Sequence, residues 1–271
     1  QTNKFIHYIK RRMELIEGFI STNNETIPAP CSYCDYCEYK NHCKKIWEKE
    51  KSIFEITGVT KNQVLRLGKA GIHNLKELIA SKGSISNFNS SILEKIKHKA
   101  KLRLDKLNGG KPKYYILGND KGLENFLPTE SPADIYFDIE GDPLINDGLE
   151  YLFGYVKGNK ETSKFNAIWA HDKNEEKEAI KQLIKFLHQH CLENKNAHIY
   201  HYNSYEVNAL RKLSQKYAVM EEELDTLLRA ERFVDLYKFI QASIITSEKG
   251  LSLKDLEVFY TEKRDEEITD A

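Results

Sequence analysis

Apolar residues in the first twenty positions fall at three- and four-residue steps. Phe5, Ile6, Ile9, Met13, Ile16, Phe19 and Ile20 predict an amphipathic helix over residues 4–20, its stripe flanked by Lys10, Arg11 and Arg12. A turn-like stretch, Ser21–Pro30, follows. Residues 44–107 keep the helical period, interrupted at Gly58 and Gly71, so that 53–56, 63–70 and 75–79 read as helix, glycine turn, helix, glycine turn, helix. A further helix, Ile92–Leu107, ends at Gly109-Gly110-Lys111-Pro112, which marks a boundary.

Beyond residue 114 the period changes. Ile135, Phe137 and Ile139 alternate with Tyr136, Asp138 and Glu140, the two-residue repeat of a β-strand. Glu150–Lys157 and Lys164–Ala170 read as two more strands, Glu175–Leu192 as a long amphipathic helix, and Ala197–Tyr202 as a buried fourth strand. Helices follow over Tyr205–Tyr217 and Glu221–Arg229, and Phe233–Leu236 runs into another over Tyr237–Ser247. Three strands, a helix, a strand and a helix, with acids at strand ends, is the order of a ribonuclease-H-like α/β fold. The expected architecture is a mixed sheet flanked by helices, preceded by a small all-α region with a cysteine cluster.

Composition alters this picture mainly through charge. The chain of 271 residues is neutral overall, but Lys44–Lys113 holds 17 Lys and Arg against 6 Asp and Glu, whereas Tyr114–Ala271 holds 19 against 30. A basic segment beside an acidic one suits a phosphate-backbone contact surface next to a carboxylate site for metal, although solvated charged helices give the same count. The basic helix concentrates Lys95, Lys97, Lys99, Lys101, Arg103 and Lys106. No run approaches the ~18 apolar residues of a membrane span and no secretory signal opens the chain, so a cytoplasmic location is expected. The chain starts without Met inside a helical pattern and stops in a charged tail, which reads as a fragment of a longer protein.

Two groups of residues carry chemistry. Alternation puts Asp138 and Glu140 on one face of their strand, roughly 7 Å apart at ~3.3 Å per residue. Paired divalent cations such as Mg²⁺ or Mn²⁺ are the usual partner of carboxylates held this way; a solvated acidic edge strand would show the same alternation. Cys31, Cys34, Cys37 and Cys43 have the spacing C-x2-C-x2-C-x5-C, which fits metal ligation in a reducing compartment. Three cysteines within seven residues favour a [4Fe–4S] cluster over a structural Zn²⁺. Cys191, spaced with Leu187 and Leu192, reads as core.

Several strings together resemble one family: Tyr136–Pro143 (YFDIEGDP), His198–Glu206 (HIYHYNSYE), Val234–Tyr237 (VDLY), Leu251–Glu257 (LSLKDLE) and the run from Pro28 to Cys43. They are similar to RecB-like nucleases that carry an iron–sulfur cysteine motif, a helix-hairpin-helix-like region and a ribonuclease-H-like domain related to DEDD (DnaQ-type) 3′–5′ exonucleases. The resemblance implies that residues 1–43 are the C-terminal remnant of a RecB-like nuclease domain, with Cys31, Cys34, Cys37 and Cys43 holding the cluster. Residues 44–113 would be the basic helix-hairpin-helix-like region, whose glycine hairpins offer backbone N–H groups to phosphates. Residues 114–271 would be the exonuclease domain, truncated at its C-terminus.

Carried over by motif, Asp138 and Glu140 match the first exonuclease motif and bind metal. Glu206 falls at the acid of the second motif, where relatives usually have Asp, and Asp235 matches an acid that follows it. The last motif, ending in Asp, is expected after Ala271. The resemblance further implies a helicase-like ATPase domain in the same full-length chain, although no phosphate loop occurs here. The expected activity is metal-dependent phosphodiester hydrolysis, with DNA favoured over RNA as partner. Asp142 would hold a water beside the metals, and His201 is a better site candidate than His198. The rival from another class is a non-catalytic nucleic-acid-binding scaffold with a degenerate ribonuclease-H-like domain.

Overall fold

The computed structural model describes residues 2–22, 28–56, 58–117, 127–145, 148–158 and 163–261. Part of the expected turn (23–27) and the charged tail (262–271) lie outside the described residues. The chain divides into two units, residues 1–100 and 101–271.

In the first unit, α1 (Ile6–Ser21) forms where the periodicity predicts. None of its residues is buried, so the apolar stripe expected to pack lies open among the described residues. A 3₁₀ turn at Cys34–Tyr36 leads to α2 (Lys40–Lys49), whose Trp47 donates its indole N–H to the Pro28 carbonyl at 2.7 Å and so ties the start of the cysteine run to the helix. The segment read as a helix at 53–56 is a single 3₁₀ turn, Ile53–Glu55, which ends as Ile56 turns to extended backbone at φ −94°, ψ 122°. α3 (Lys61–Lys69) opens on a capping box between Thr60 and Gln63. Gly71 at φ +75° ends that turn, and α4 (Leu75–Ala80) is capped by Asn74. Ile53, Leu67, Leu75, Leu78, and Leu93 and Ile96 of α5 (Ser90–Leu107) are among the buried apolar side chains here.

The second unit is built on a five-stranded sheet. A short strand β1 (Tyr114–Ile116) is followed by β2 (Ile135–Asp142), β3 (Leu149–Lys157) and β4 (Lys164–Trp169). Then come α6 (Lys173–Glu193), β5 (Ile199–His201), α7 (Tyr205–Tyr217), α8 (Glu221–Arg229) and β6 (Phe233–Asp235). The spatial order is β4-β3-β2-β5-β6: β2, β3 and β4 are antiparallel, and β5 and β6 run parallel to β2. This is the mixed sheet that the order of elements predicts. Ile135, Phe137 and Ile139 point inward and are buried with Phe153, Ile180, Leu183, Ile184, Leu187, Leu210 and Leu213 from β3, α6 and α7. Each such side chain contributes roughly 1.5–3 kcal/mol. Cys191 lies in the same core, as its spacing predicts, and burial pushes its thiol upward.

The chain continues through α9 (Leu236–Ser243), β7 (Ile244–Thr246) and α10 (Leu253–Leu256). The helix expected to reach Ser247 ends at Ser243, since the β-branched run Ile244-Ile245-Thr246 leaves it to pair antiparallel with β1. Several cations of the basic helix are engaged. Lys97 donates to the Ser81 carbonyl, Arg103 is buried and donates to the Ser247 carbonyl at 3.2 Å, and Lys106 pairs with Glu248.

Glu176, in the first turn of α6, is 1% exposed and gathers donors from three elements. Its Oε1 accepts the Glu150 backbone N–H at 2.7 Å; its Oε2 accepts from Lys216 at 3.0 Å and from the Tyr217 hydroxyl, with Lys173 nearby. Burial alone would raise its pKa, but the bonds from Tyr217, Glu150 and Lys216 outweigh it and hold the carboxyl below the ordinary glutamate range. A lowered folded-state pKa adds stability above the unfolded value of ~4.3 that is lost as pH falls through the folded one. Glu176→Ala should therefore cost about 3 kcal/mol near neutral pH, read as a shift of the urea midpoint, and Glu176→Gln should flatten the acid limb of the stability curve.

Candidate active site

The pleat that buries Ile135, Phe137 and Ile139 turns Tyr136, Asp138 and Glu140 to the opposite face of β2, as the alternation predicts. Helix α7 brings Glu206 toward that face from its first turn. Asp138 and Glu206 are close enough to share a hydrogen bond when Asp138 is protonated. Partial desolvation, then the charges of Glu206 and Glu140, push the Asp138 carboxyl up to about 6. Asp138, Glu140 and Glu206 are thus drawn into one electrostatic cluster.

Glu206 is 4% exposed, and its Oε2 has no hydrogen-bond partner among the described residues. The nearest base is His201 at the end of β5, with Nδ1 at 3.5 Å. That nitrogen is committed elsewhere. It lies 2.5 Å from the Asn203 carbonyl oxygen, which can only accept, so the proton sits on Nδ1 and points away from Glu206. A buried carboxylate oxygen without a donor is costly unless a cation meets it.

Asp235, at the end of β6, has a different occupation. Its Oδ1 accepts backbone N–H groups from Asn203 at 3.0 Å, Tyr237 at 3.0 Å and Lys238 at 3.4 Å, capping α9 and pinning the β5–α7 turn. Asn203 is held at φ +79°, in the left-handed region, with its own side chain accepting from the Ser204 N–H. Asp235 therefore reaches the acidic cluster through Asn203 and His201. Asp142 accepts the Leu144 N–H at 2.8 Å, and His198 sits 3.7 Å from the buried Asp134 at the base of the sheet.

Two clefts meet at Asp138. One, about 670 Å³, is walled by tyrosines (Tyr136, Tyr200, Tyr202, Tyr237) and the segment from Gly250 to Asp255, with Asp138 and Glu206 on its border. The other, about 610 Å³, is lined by Glu140, Asp142, Glu150, Tyr205 and Lys212. Glu150 is a site neighbour that the strand pattern does not reveal. A register shift in the β2–β3 pairing sets Gly141 opposite Glu150, and the Tyr205 hydroxyl donates to Glu150 at 2.7 Å above it. A Cβ on Gly141 would stand 2.0 Å from Glu150 Oε2 and 2.7 Å from the Tyr205 oxygen. Lys212 was legible in principle, seven residues after Tyr205 on the same helical face.

The cysteines belong to the first unit. Cys31 and Cys34 approach with Sγ atoms 3.9 Å apart, Cys37 follows the 3₁₀ turn, and Cys43 lies in the first turn of α2. All four are free thiols. Among the described residues no three His, Cys, Asp or Glu side chains converge as a metal site would. The donor chemistry nevertheless matches: hard carboxylates with an unpartnered buried oxygen at β2 and α7, and soft thiolates in the cysteine run.

The family model described as RNase_H superfamily matches residues 135–271. No curated protein and no solved structure matches the chain. The match begins at the first residue of β2 and takes in all four predicted carboxylates of the site.

The repulsion among the carboxylates has a measurable sign. Asp138 is exposed, so water screens part of it. Asp138→Asn should raise the stability of the metal-free protein near neutral pH by about 1 kcal/mol, seen as a melting temperature higher by a few degrees. A lower melting temperature would mean that the charge of Asp138 is already compensated.

Proposed function

The chain belongs to the RNase H superfamily, and from that membership we propose that it is a metal-dependent nuclease, of the 3′–5′ exonuclease type, acting on DNA in preference to RNA. The observation that carries this reading is the cluster of Asp138 with Glu140 and Glu206 at the meeting of two clefts, with one Glu206 oxygen buried and unpartnered. Asp138, Glu140 and Glu206 would hold Mg²⁺ or Mn²⁺. Bound there, the cations would supply an activated water and compensate charge on the leaving oxygen.

The remaining residues orient this set. Asp235 fixes the backbone of Asn203, the Asn203 carbonyl fixes the His201 ring, and His201 leaves Glu206 free of a hydrogen bond that would compete with a cation. Tyr205 and Glu150 seat the start of α7 against β3. A RecB-like origin for residues 1–43, with Cys31, Cys34, Cys37 and Cys43 as ligands of a [4Fe–4S] cluster or of Zn²⁺, is part of the same proposal. So are phosphate contact by the glycine turns of residues 44–113 and a helicase-like ATPase domain in the full-length chain. The turn geometry at Gly58 and Gly71 supports the phosphate contact, while the engagement of Lys97, Arg103 and Lys106 leaves less of the basic helix for it.

A second reading, a nucleic-acid-binding scaffold without catalysis, draws on the absence of a converged ligand triad among the described residues and on Glu at the position of Glu206. Two measurements separate the possibilities. The protein should cleave DNA with Mn²⁺ or Mg²⁺ and lose that activity in EDTA, and Asp138→Asn should lower it roughly 100-fold or more; unchanged cleavage by the variant would sink the catalytic reading. Anaerobically purified protein should be brown, with absorbance near ~400 nm and with iron and sulfide. A colourless sample with about one zinc per chain would assign the cysteines to a structural site instead.

A further inference from the structure

The two edges of the five-stranded sheet are finished differently. At one edge β6 is three residues long and runs directly into α9, too short to offer a ladder to another strand. At the other edge β4 spans Lys164–Trp169 and pairs on one side only, with β3. Exposed edges are ordinarily blunted by proline, by charges along the strand or by a bulge. The run Phe165-Asn166-Ala167-Ile168-Trp169 carries no proline and no charge, and its pairing with β3 shows no register shift.

The end of β4 sets its hydrogen-bonding frame. Ala170 donates its N–H to the Tyr151 carbonyl at 2.9 Å, so the alternation of an antiparallel ladder turns Ile168, Asn166 and Lys164 toward β3 as well. Phe165, Ala167 and Trp169 therefore direct their N–H and C=O groups away from the sheet, and no described residue bonds to them. Their side chains share one open face, with Phe165 62% and Trp169 55% exposed. Neither ring is loose. Phe165 lies over Gly154, where an added Cβ would stand 3.0 Å from the ring, and Trp169 stacks with Tyr151 at 6.3 Å and with His171 at 6.4 Å.

This strand is complementary to itself. An antiparallel copy set about a twofold axis through Ala167 places Ala167 against Ala167 and Phe165 against Trp169, while Lys164 meets Ala170 and not another cation. Every pair among Phe165, Ala167 and Trp169 is then of the hydrogen-bonded kind, so the outward groups of both strands find partners. Each aromatic ring also faces an aromatic ring across the seam. We propose that β4 is a dimerisation edge, joined to β4 of a second copy of this chain in one continuous sheet. Because β6 closes the far edge, the pairing stops at a twofold dimer and does not continue into a fibre. The seam lies two strands away from β2 and covers none of Asp138, Glu140 and Glu206, so the inference stands apart from the nuclease reading.

The test is sedimentation velocity of the full chain, from low micromolar to near-millimolar concentration, with substitutions at the axis. The unaltered protein should shift from monomer to dimer as concentration rises. Ala167→Lys and Ala167→Glu each set like charges directly opposite one another, and each should weaken self-association about tenfold. An equimolar mixture of the two variants should restore it, since unlike charges then meet at the axis; a contact elsewhere on the molecule would not respond in this way. Should either variant fail to fold, the unaltered protein still decides. Hydrogen exchange followed by mass spectrometry should show segment 164–169 protected at high concentration and less protected on dilution, with segment 233–235 unchanged. A protein monomeric throughout, a dimer indifferent to both substitutions, a mixture no tighter than its components, or exchange of 164–169 that ignores concentration overturns the proposal.

Discussion

Strand β2 has a hydrogen-bonded neighbour along each edge, and the rest of the second unit depends on that constraint. With β3 antiparallel on one side and β5 parallel on the other, β2 cannot slide without breaking two ladders. A slip by one residue would exchange its faces, sending Asp138 and Glu140 into the core and Ile135, Phe137 and Ile139 into water. Burying two unpaired carboxylates costs several kcal/mol each. The register is therefore fixed by the same alternation that presents the acids, and the fold cannot form in the correct register without also creating a concentrated negative charge at its centre.

How the protein treats carboxylates elsewhere shows that this charge is not a general failure of compensation. Glu176 and Glu206 are both buried, and each sits in the first turn of a helix. Glu176 receives a backbone N–H, a phenol and an ammonium group, and its acidity rises accordingly. Glu206 faces a histidine whose proton is turned away from it and an aspartate of like charge. One site joins elements of the sheet and helices into a stable body. The other keeps an oxygen uncompensated, which is unfavourable for folding and favourable for binding a cation.

The sequence made legible whatever depends on short-range periodicity. The alternation of β2, the bounds of α7 and α8 and the order of strands and helices all follow from spacing, and so does the placement of Asp138, Glu140 and Glu206 on facing elements. Spacing alone is silent where long-range partners decide. Ile244-Ile245-Thr246 extends a helical pattern until β1, some 130 residues earlier, offers a strand to pair with. The stripe of α1 has the spacing of a buried face, yet it packs on nothing among the described residues, because amphipathicity specifies a face and not its partner. Asp235 has the residue type of a ligand, and only the geometry of Asn203, held at φ +79°, reveals that its Oδ1 is occupied by backbone donors, while Oδ2 faces the Lys238 ammonium at 3.7 Å. Glu150 enters the site through a register shift, which no count of apolar positions encodes.

Gly141 joins these themes. It lies directly after Glu140, beneath the bond between Tyr205 and Glu150, where there is no space for even one carbon more. The atoms above it are the tips of two side chains and not backbone, so a methyl group at this position would leave the sheet whole and unhook Tyr205. Since Tyr205 precedes Glu206 at the head of α7, the bond that ties the start of this helix to β3 passes over the position that only glycine leaves open. The seam between α7 and the sheet thus closes over the missing methyl of a single residue, a gap of one atom's thickness.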